Sequence, residues 1–412
     1  MKKIGILGFG VVGNGVAEVV FMNSKKLEKR LGEPIEVKRI LDIREFPDSP
    51  FAKLITNDAD TFFADDEISI VVETIGGARI AYEYTKRALS LGKTVVTSNK
   101  ELVSTHGVEL IQLANEHHCN YLFEASVGGG IPIIRPLQRC LAANDIERIV
   151  GIVNGTTNYI LTKMENDGSD FAASLKEAQA KGYAEANPSA DIDGIDAMRK
   201  ISILGTIALD GAYINPESIF TVGITSITVD DMIYAREMNA AIKLLAIFEK
   251  GDDGNVFSYV APHLVPKEHP IAVANDVFNA IMVTGNAIGD AMFYGQGAGK
   301  LATASAVVGD VLDAALHGER FAHGTSWFKP VDTVLQPIEN HVCSCLIRVS
   351  DSVSTEDMEK AFPEISIQPA LYEAAGEKAY ILGKDGDMTE ANLSIGVNEL
   401  NDKAISIIRI FA

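Results

Sequence analysis

Short apolar runs alternate with longer amphipathic stretches through the first 125 residues. The runs at 3–7, 35–41, 68–73, 94–97 and 121–123 have strand length and strand composition. The stretches 11–31, 78–91 and 100–117 instead repeat their apolar positions every three to four residues, as one helix face does. Strand, helix, strand in that order predicts right-handed crossovers and an α/β fold with a doubly wound, Rossmann-type sheet over 1–135. A second, α+β unit is read over 136–299. From 338 to 412 the pattern changes again: strand-like 341–349, helical 355–362, strand-like 365–371 and 378–382, helical 389–400, strand-like 404–410. That βαββαβ order suits a small ferredoxin-like unit.

The first strand runs directly into Gly8-Phe9-Gly10-Val11-Val12-Gly13. In such a loop the glycines allow a tight turn, close approach of backbone to a pyrophosphate and close helix-to-strand packing, and the helix start faces the phosphates. The bare motif is weak evidence. Its placement between the first strand and first helix of an α/β unit makes dinucleotide binding the leading reading. At the end of the second strand Asp42 offers a carboxylate to a ribose 2′-hydroxyl, and Arg44 offers a charge to a 2′-phosphate, so NAD and NADP both remain open.

Other candidates gather at predicted strand ends. Thr74 and Gly76 follow the run ending in Glu73, and Ser98 and Lys100 follow the next; an ordinary turn and a solvated lysine are the competing accounts. The crowded turn Glu124 to Pro132 offers one carboxylate and several accessible carbonyls, a pattern for a hard cation, although from the residues alone a hinge between domains is the preferred reading. Asn154-Gly155-Thr156-Thr157-Asn158 opens a helix and suits either a carboxylate or simple capping. Asp196 and Lys200 share a helix face four residues apart, where an exposed pair stabilises by only about 0.3–0.5 kcal/mol. The acidic loop before them, with Glu185, Asp191 and Asp193, is what lifts the pair, because these carboxylates can converge on an ammonium.

Composition narrows the classes. The 412 residues are 47% apolar and carry 36 Lys plus Arg against 56 Asp plus Glu, for a net charge of −20. A packed protein of two or three units follows, and nucleic acid and membrane surfaces are poor partners for so acidic a chain. Four scattered cysteines, no cleavable leader pattern and no run of 18 apolar residues fit a cytoplasmic protein with reduced thiols.

These segments, taken in order, resemble the homoserine dehydrogenase family: the Gly8–Gly13 loop, Thr97 to Lys100, Glu124 to Gly130, Asn154 to Asn158, Gly182 to Asp191, Asp196 to Lys200, and Gly297-Ala298-Gly299 with Thr303 to Val307. The resemblance implies reversible, NAD- or NADP-dependent interconversion of L-homoserine and L-aspartate 4-semialdehyde, a small-molecule reaction, in a homodimer or higher homo-oligomer, with 300–325 packing back on the first unit. It assigns the proton to Lys200, with Lys100 as a second cation. It gives the amino acid to Glu185, Asp196, Asp191, Tyr183, Gly155 and Thr156. It adds Gly182 and Gly297 to the cofactor residues Gly8, Phe9, Gly10, Val11, Val12, Gly13, Asp42, Arg44, Thr74, Gly76, Ser98 and Lys100. It also turns the glycine-rich turn into a monovalent cation (Na+) site made by Glu124, Val127, Gly129 and Ile131. Asn187, Ser98 and Ala302 depart from the family pattern without removing a group the chemistry needs. The C-terminal unit resembles the ACT domain, an amino-acid sensor, but Asp351-Ser352-Val353-Ser354 replaces its usual Pro-Gly turn, so a sensor and a dimerisation piece both remain. A dehydrogenase of another short amino acid, and a cofactor-binding sensor without turnover, are the alternative functions; Lys200 beside Asp196 and Glu185 favours the enzyme.

Overall fold

The structure, a computed structural model, describes residues 1–251, 254–318, 326–372 and 374–411. Six parallel strands build the first sheet: β1 (Lys2–Leu7), β2 (Ile35–Leu41), β3 (Ile55–Thr56), β4 (Ile68–Glu73), β5 (Thr94–Thr97) and β6 (Tyr121–Leu122), in the order β3-β2-β1-β4-β5-β6. Strand order reverses beside β1, where open α/β sheets bind ligands at their carboxyl edge. Register delivers the candidates to that edge. Leu7 pairs with both Leu41 and Glu73, and Glu73 with Thr97, so Gly8, Asp42, Thr74 and Ser98 leave the sheet side by side.

The 11–31 stretch is two helices, Val11–Met22 and Ser24–Leu31, meeting at Asn23, rather than one. Only Leu27 of the second is buried, so its charged remainder had nothing to align it with the first. Far along the chain, the Lys300–His317 helix packs on Val11–Met22, and Ala304, Val307 and Val311 enter one core with Ile4, Ile6 and Val16. Residues 319–325 of the expected 300–325 return lie outside the described residues.

The second sheet is mixed. Its strands are β7 (Ile146–Ile152), β8 (Phe220–Thr221), β9 (Ala240–Lys250), β10 (Val256–Pro266), β11 (Phe278–Gly285), β12 (Gly289–Gln296), β13 (Cys345–Ser350), β14 (Ile367–Pro369), β15 (Glu377–Leu382) and β16 (Ala404–Ile410). The order is β12-β11-β7-β9-β10-β16-β13-β15-β14, with β8 beside β10. The C-terminal βαββαβ unit therefore shares a sheet with the central unit. They join through parallel pairing of His263 with Arg409 and Leu264 with Ile410. Its first strand starts at Cys345 rather than at 341, because 338–340 form a 3-10 turn.

Candidate active site

The Gly8–Gly13 loop is shaped for close approach. Gly8 has φ +87°, a conformation glycine adopts without cost, and a Cβ on Gly13 would stand 2.0 Å from the Gly8 carbonyl oxygen. Gly10 caps the Val11–Met22 helix without a side-chain hydrogen bond, which leaves the first-turn amides for an anion. Thr74 Oγ1 donates to the carbonyls of Leu7 (3.0 Å) and Gly8 (2.9 Å), tying β4 to the loop. The cradle fits a dinucleotide pyrophosphate.

Asp42 is committed rather than free. Its carboxylate accepts the Phe9 amide (2.6 Å), the Arg44 amide (2.9 Å) and two guanidinium bonds from Arg44 (3.0 and 2.9 Å). Burial alone would raise its pKa, but these donors outweigh burial and bring it down to about 2. The Arg44 side chain keeps most of its surface in solvent.

Next along the edge, Asn99 caps the Lys100–Glu116 helix through the Leu102 amide and donates to the carbonyls of Ile75 and Gly77. Lys100 thereby stands at the cofactor edge as the first residue of that helix. Its Nζ lies 2.6 Å from Asp196 Oδ1, across the boundary between the two sheets.

Asp196 and Lys200 lie in the first two turns of Ile195–Ala208, and both are buried, not exposed. Lys200 Nζ donates to Asp196 Oδ2 (2.7 Å) and to the Val153 carbonyl at the end of β7 (2.7 Å). Asn154 Nδ2 donates to Asp196 Oδ2 (2.9 Å) and Asp191 Oδ1 (2.7 Å), which adds Asp191 to the cluster. The two lysines hold the Asp196 carboxyl well below the usual range although burial opposes them. Burial lowers the Lys200 ammonium, further aided by Lys100, against the pull of Asp196. Lys100 is raised, chiefly by Asp196. Burial raises Asp191.

The remaining predicted residues are not all drawn in. Glu185, Gly182 and Asp193 are exposed, and no hydrogen bond among the described residues joins the Glu185 carboxylate to the cluster. The Tyr183 ring, also exposed, sits 5.0 Å edge-on to Tyr159. Thr156 Oγ1 donates to the Tyr183 carbonyl (2.7 Å), so its hydroxyl proton is already used. Asn154 caps Thr157 at the start of Gly155–Asp167, which leaves the Gly155 and Thr156 amides at the helix mouth. Ser98 is half-buried, Gly76 borders open space, and Gly297 packs its backbone against the Asn279 amide.

Glu124 is fully buried, with both oxygens occupied. Oε1 accepts the Ile133 (2.6 Å) and Ile134 (2.9 Å) amides; Oε2 accepts the Arg135 amide (2.8 Å) and Nε (3.1 Å). Four donors fill a carboxylate's acceptor positions, so Glu124 does not fit as a free ligand of the expected cation. The turn itself is tight: Gly128 and Gly129 have φ +72° and +56°, and the Gly128 carbonyl accepts the Ile131 amide (2.8 Å). Arg135 also reaches Asp313 (2.5 Å) and Asp310 (3.6 Å), one cation among three carboxylates; burial lifts Asp310 to about 7.

Three participants were missed. Asn154 lay inside a motif read for its amides and hydroxyls. Arg135 lay just beyond the glycine turn. Glu73 ends an otherwise apolar strand, and that break in pattern was the available signal. It is fully buried, accepts Thr97 Oγ1 and the Ile75 amide (2.6 Å each), and burial pushes it up to about 7.

A glycine loop for a dinucleotide and a buried lysine–carboxylate cluster at the same sheet edge define a nicotinamide-dependent oxidoreductase. Residues 8–124 match the model of the homoserine dehydrogenase NAD-binding domain, and residues 132–312 that of homoserine dehydrogenase. The homoserine dehydrogenase of Synechocystis is 43% identical over 318 residues, 76% of this chain and 72% of the relative. A crystal structure of a homoserine dehydrogenase from Thiobacillus denitrificans superposes with a TM-score of 0.91 at 34% identity, over 100% of this chain and 98% of that one. A hyperthermophilic archaeal homoserine dehydrogenase in complex with NADPH gives 0.65 at 30% identity, over 77% and 98%. The chain belongs to the homoserine dehydrogenase family.

Proposed function

We propose that Lys200 gives a proton to the side-chain oxygen of L-aspartate 4-semialdehyde in the reducing direction and takes it back from L-homoserine in the other. The bound NAD(P) supplies the hydride chemistry. One observation carries the assignment: an ammonium has three donors, and Lys200 spends two on Val153 and Asp196, leaving one for the substrate oxygen. Burial keeps that proton from being held too tightly, while Asp196 keeps it from being lost, as a proton carrier near neutral pH requires. Lys100 is the second cation, holding Asp196 from the cofactor side.

The amino-acid end of the substrate is assigned to the Gly155 and Thr156 amides for its carboxylate, and to Asp191 and the rim residue Glu185 for its ammonium, with Tyr183 as a wall. The cofactor is assigned to the Gly8–Gly13 loop, including Phe9, Gly10, Val11 and Val12, and to Asp42, Arg44, Thr74, Gly76, Ser98, Lys100, Gly182 and Gly297. Because Asp42 is saturated by Arg44 and Phe9, whereas Arg44 faces solvent, a 2′-phosphate is the better match, and NADP is the cofactor we assign. NADPH is also what the archaeal relative holds.

We further assign a monovalent cation to the carbonyls of Val127, Gly129 and Ile131, with Glu124 as counter-charge rather than ligand; the excess of carboxylates around Arg135 supports it. The half-exposed edge strand β12, with Met292 and Tyr294 on its face, supports a homodimer. Four free cysteines, three of them buried, fit the cytoplasm. The strand order β16-β13-β15-β14 supports an ACT-like sensor for the C-terminal unit. The test of the central assignment is NADH and NADPH formation with homoserine against other hydroxy amino acids, for the native enzyme and Lys200→Ala. Near-normal turnover in the variant would overturn it.

A further inference from the structure

Glu73 places a buried carboxyl where the alternation along β4 asks for another apolar side chain. Val71, two residues earlier on the same face, lies in the large core with Val95 and Leu102. Burying a carboxyl is costly unless donors satisfy it, and here the donors come from two loops at once. Oε1 accepts the Ile75 amide of the 74–78 loop, and Oε2 accepts the Thr97 hydroxyl at the end of β5, at 2.6 Å each. Thr97 Oγ1 in turn accepts the Asn99 amide (2.9 Å), and Asn99 Nδ2 returns to the carbonyls of Ile75 (3.1 Å) and Gly77 (2.8 Å). The four residues close a ring. Tyr121 of β6 is the titratable group that feels the Glu73 charge, and its buried hydroxyl has no hydrogen-bond partner among the described residues.

We propose that Glu73 is a positioning residue: by holding Ile75 and Thr97 it fixes Asn99, the cap of the Lys100–Glu116 helix, and so keeps the Lys100 ammonium on Asp196 Oδ1. A carboxylate suits the place because both groups that face it are donors; a glutamine would turn its NH2 toward one of them. The consequence reaches Lys200. Burial and Lys100 lower its ammonium pKa, while Asp196 and Asp191 raise it. With Lys100 off the shared carboxylate, Asp196 acts on Lys200 alone and the Lys200 pKa rises. Aldehyde reduction then fades at higher pH, a shift of opposite sign to the one that follows loss of Asp196. This effect on turnover rests on the Lys200 reading above; the placement of Lys100 does not.

The test reads Lys100 directly and then through turnover, in the full-length protein. The Lys100 side chain is 40% exposed, within reach of acetic anhydride, and an ammonium held on a buried carboxylate is acylated slowly. Labelling quantified by mass spectrometry should run about threefold faster or more at Lys100 in Glu73→Gln, as a fall of about half a pKa unit gives, with the remaining lysines unchanged. The high-pH limb of kcat for aldehyde reduction should move upward in Glu73→Gln and in Lys100→Met, and no further when the two are combined. Thr97→Val removes the hydroxyl and should behave as Glu73→Gln, whereas Thr97→Ser keeps it and should behave as the native protein; this pair decides the matter should Glu73→Gln not fold. Native labelling of Lys100 in Glu73→Gln or, failing that, in Thr97→Val overturns the proposal whatever turnover does, and a further shift in the double variant overturns it as well. Faster labelling with an unmoved limb keeps Glu73 as the positioning residue and sinks Lys200 as the proton carrier.

Discussion

Lys100 and Lys200 come from different units, yet each holds one oxygen of the same buried carboxylate, Asp196, at 2.6 and 2.7 Å. Closing that triad joins the glycine-loop edge of the first sheet to the second unit, and the Lys200 amine is tuned by a residue four positions before it.

Replacing Lys200 by alanine removes the proposed proton carrier while Lys100 still neutralises Asp196. Turnover should fall about 10²- to 10⁴-fold, the usual contribution of a positioned acid or base. Cofactor affinity, followed by NADPH fluorescence, should change less than twofold.

Asp196→Asn acts through pH. Burial and Lys100 lower the Lys200 pKa while Asp196 raises it, so loss of the Asp196 carboxylate leaves the lowering influences opposed only by the weaker pull of Asp191. Aldehyde reduction needs the ammonium and fades as pH rises through its pKa. In the variant this limb of the kcat profile should therefore lie at lower pH than in the native enzyme; a limb that stays in place would show that another group donates the proton.

Asp42 sets a stability that depends on pH. Its pKa is depressed in the fold from 3.8 to about 2, so the gain is present above pH 4 and disappears as pH falls through 2. The difference corresponds to about 2 kcal/mol. Urea unfolding of Asp42→Asn should show a loss of that order at pH 7 and a much smaller one near pH 2.

Gly13→Ala places a Cβ against the backbone carbonyl of Gly8 and the Thr74 hydroxyl, neither of which can withdraw without opening the loop. NADPH binding should weaken at least tenfold. Arg44→Ala, by contrast, should raise the KM for NADPH more than that for NADH, since it removes the solvent-facing cation beside Asp42 that is assigned to the 2′-phosphate.

The cation assignment has a direct readout. Exchanging sodium chloride for the chloride of N-methyl-D-glucamine at equal ionic strength should lower the melting temperature by a few degrees, and Arg135→Met should make the protein more dependent on sodium, not less.

Much of the cofactor unit was legible in the residues, because parallel strands are short apolar runs separated by amphipathic helices and its glycines lie where register makes them adjacent. The Asp196–Lys200 pair was legible as a pair. Its burial was not: that depends on Val153, Asn154 and Lys100, 42 to 100 positions away, and a helix face alone does not say what covers it. Proximity in the chain of Glu185 to Asp191 suggested one cluster, yet of the two only Asp191 reaches Asn154, and Glu185 stands at the rim. The single sheet spanning the central and C-terminal units was invisible because it rests on two backbone pairs between residues nearly 150 apart.

That last joint has a consequence for biosynthesis. One margin of β10 is capped by β8 at Tyr259 and Val260, but beyond them His263 and Leu264 wait for residues 409 and 410. While the ribosome is still translating the intervening stretch, those amides and carbonyls face water beside strongly apolar neighbours, an open template for another nascent chain. Truncations that stop short of residue 404 should therefore clump during expression even when every catalytic group has been made.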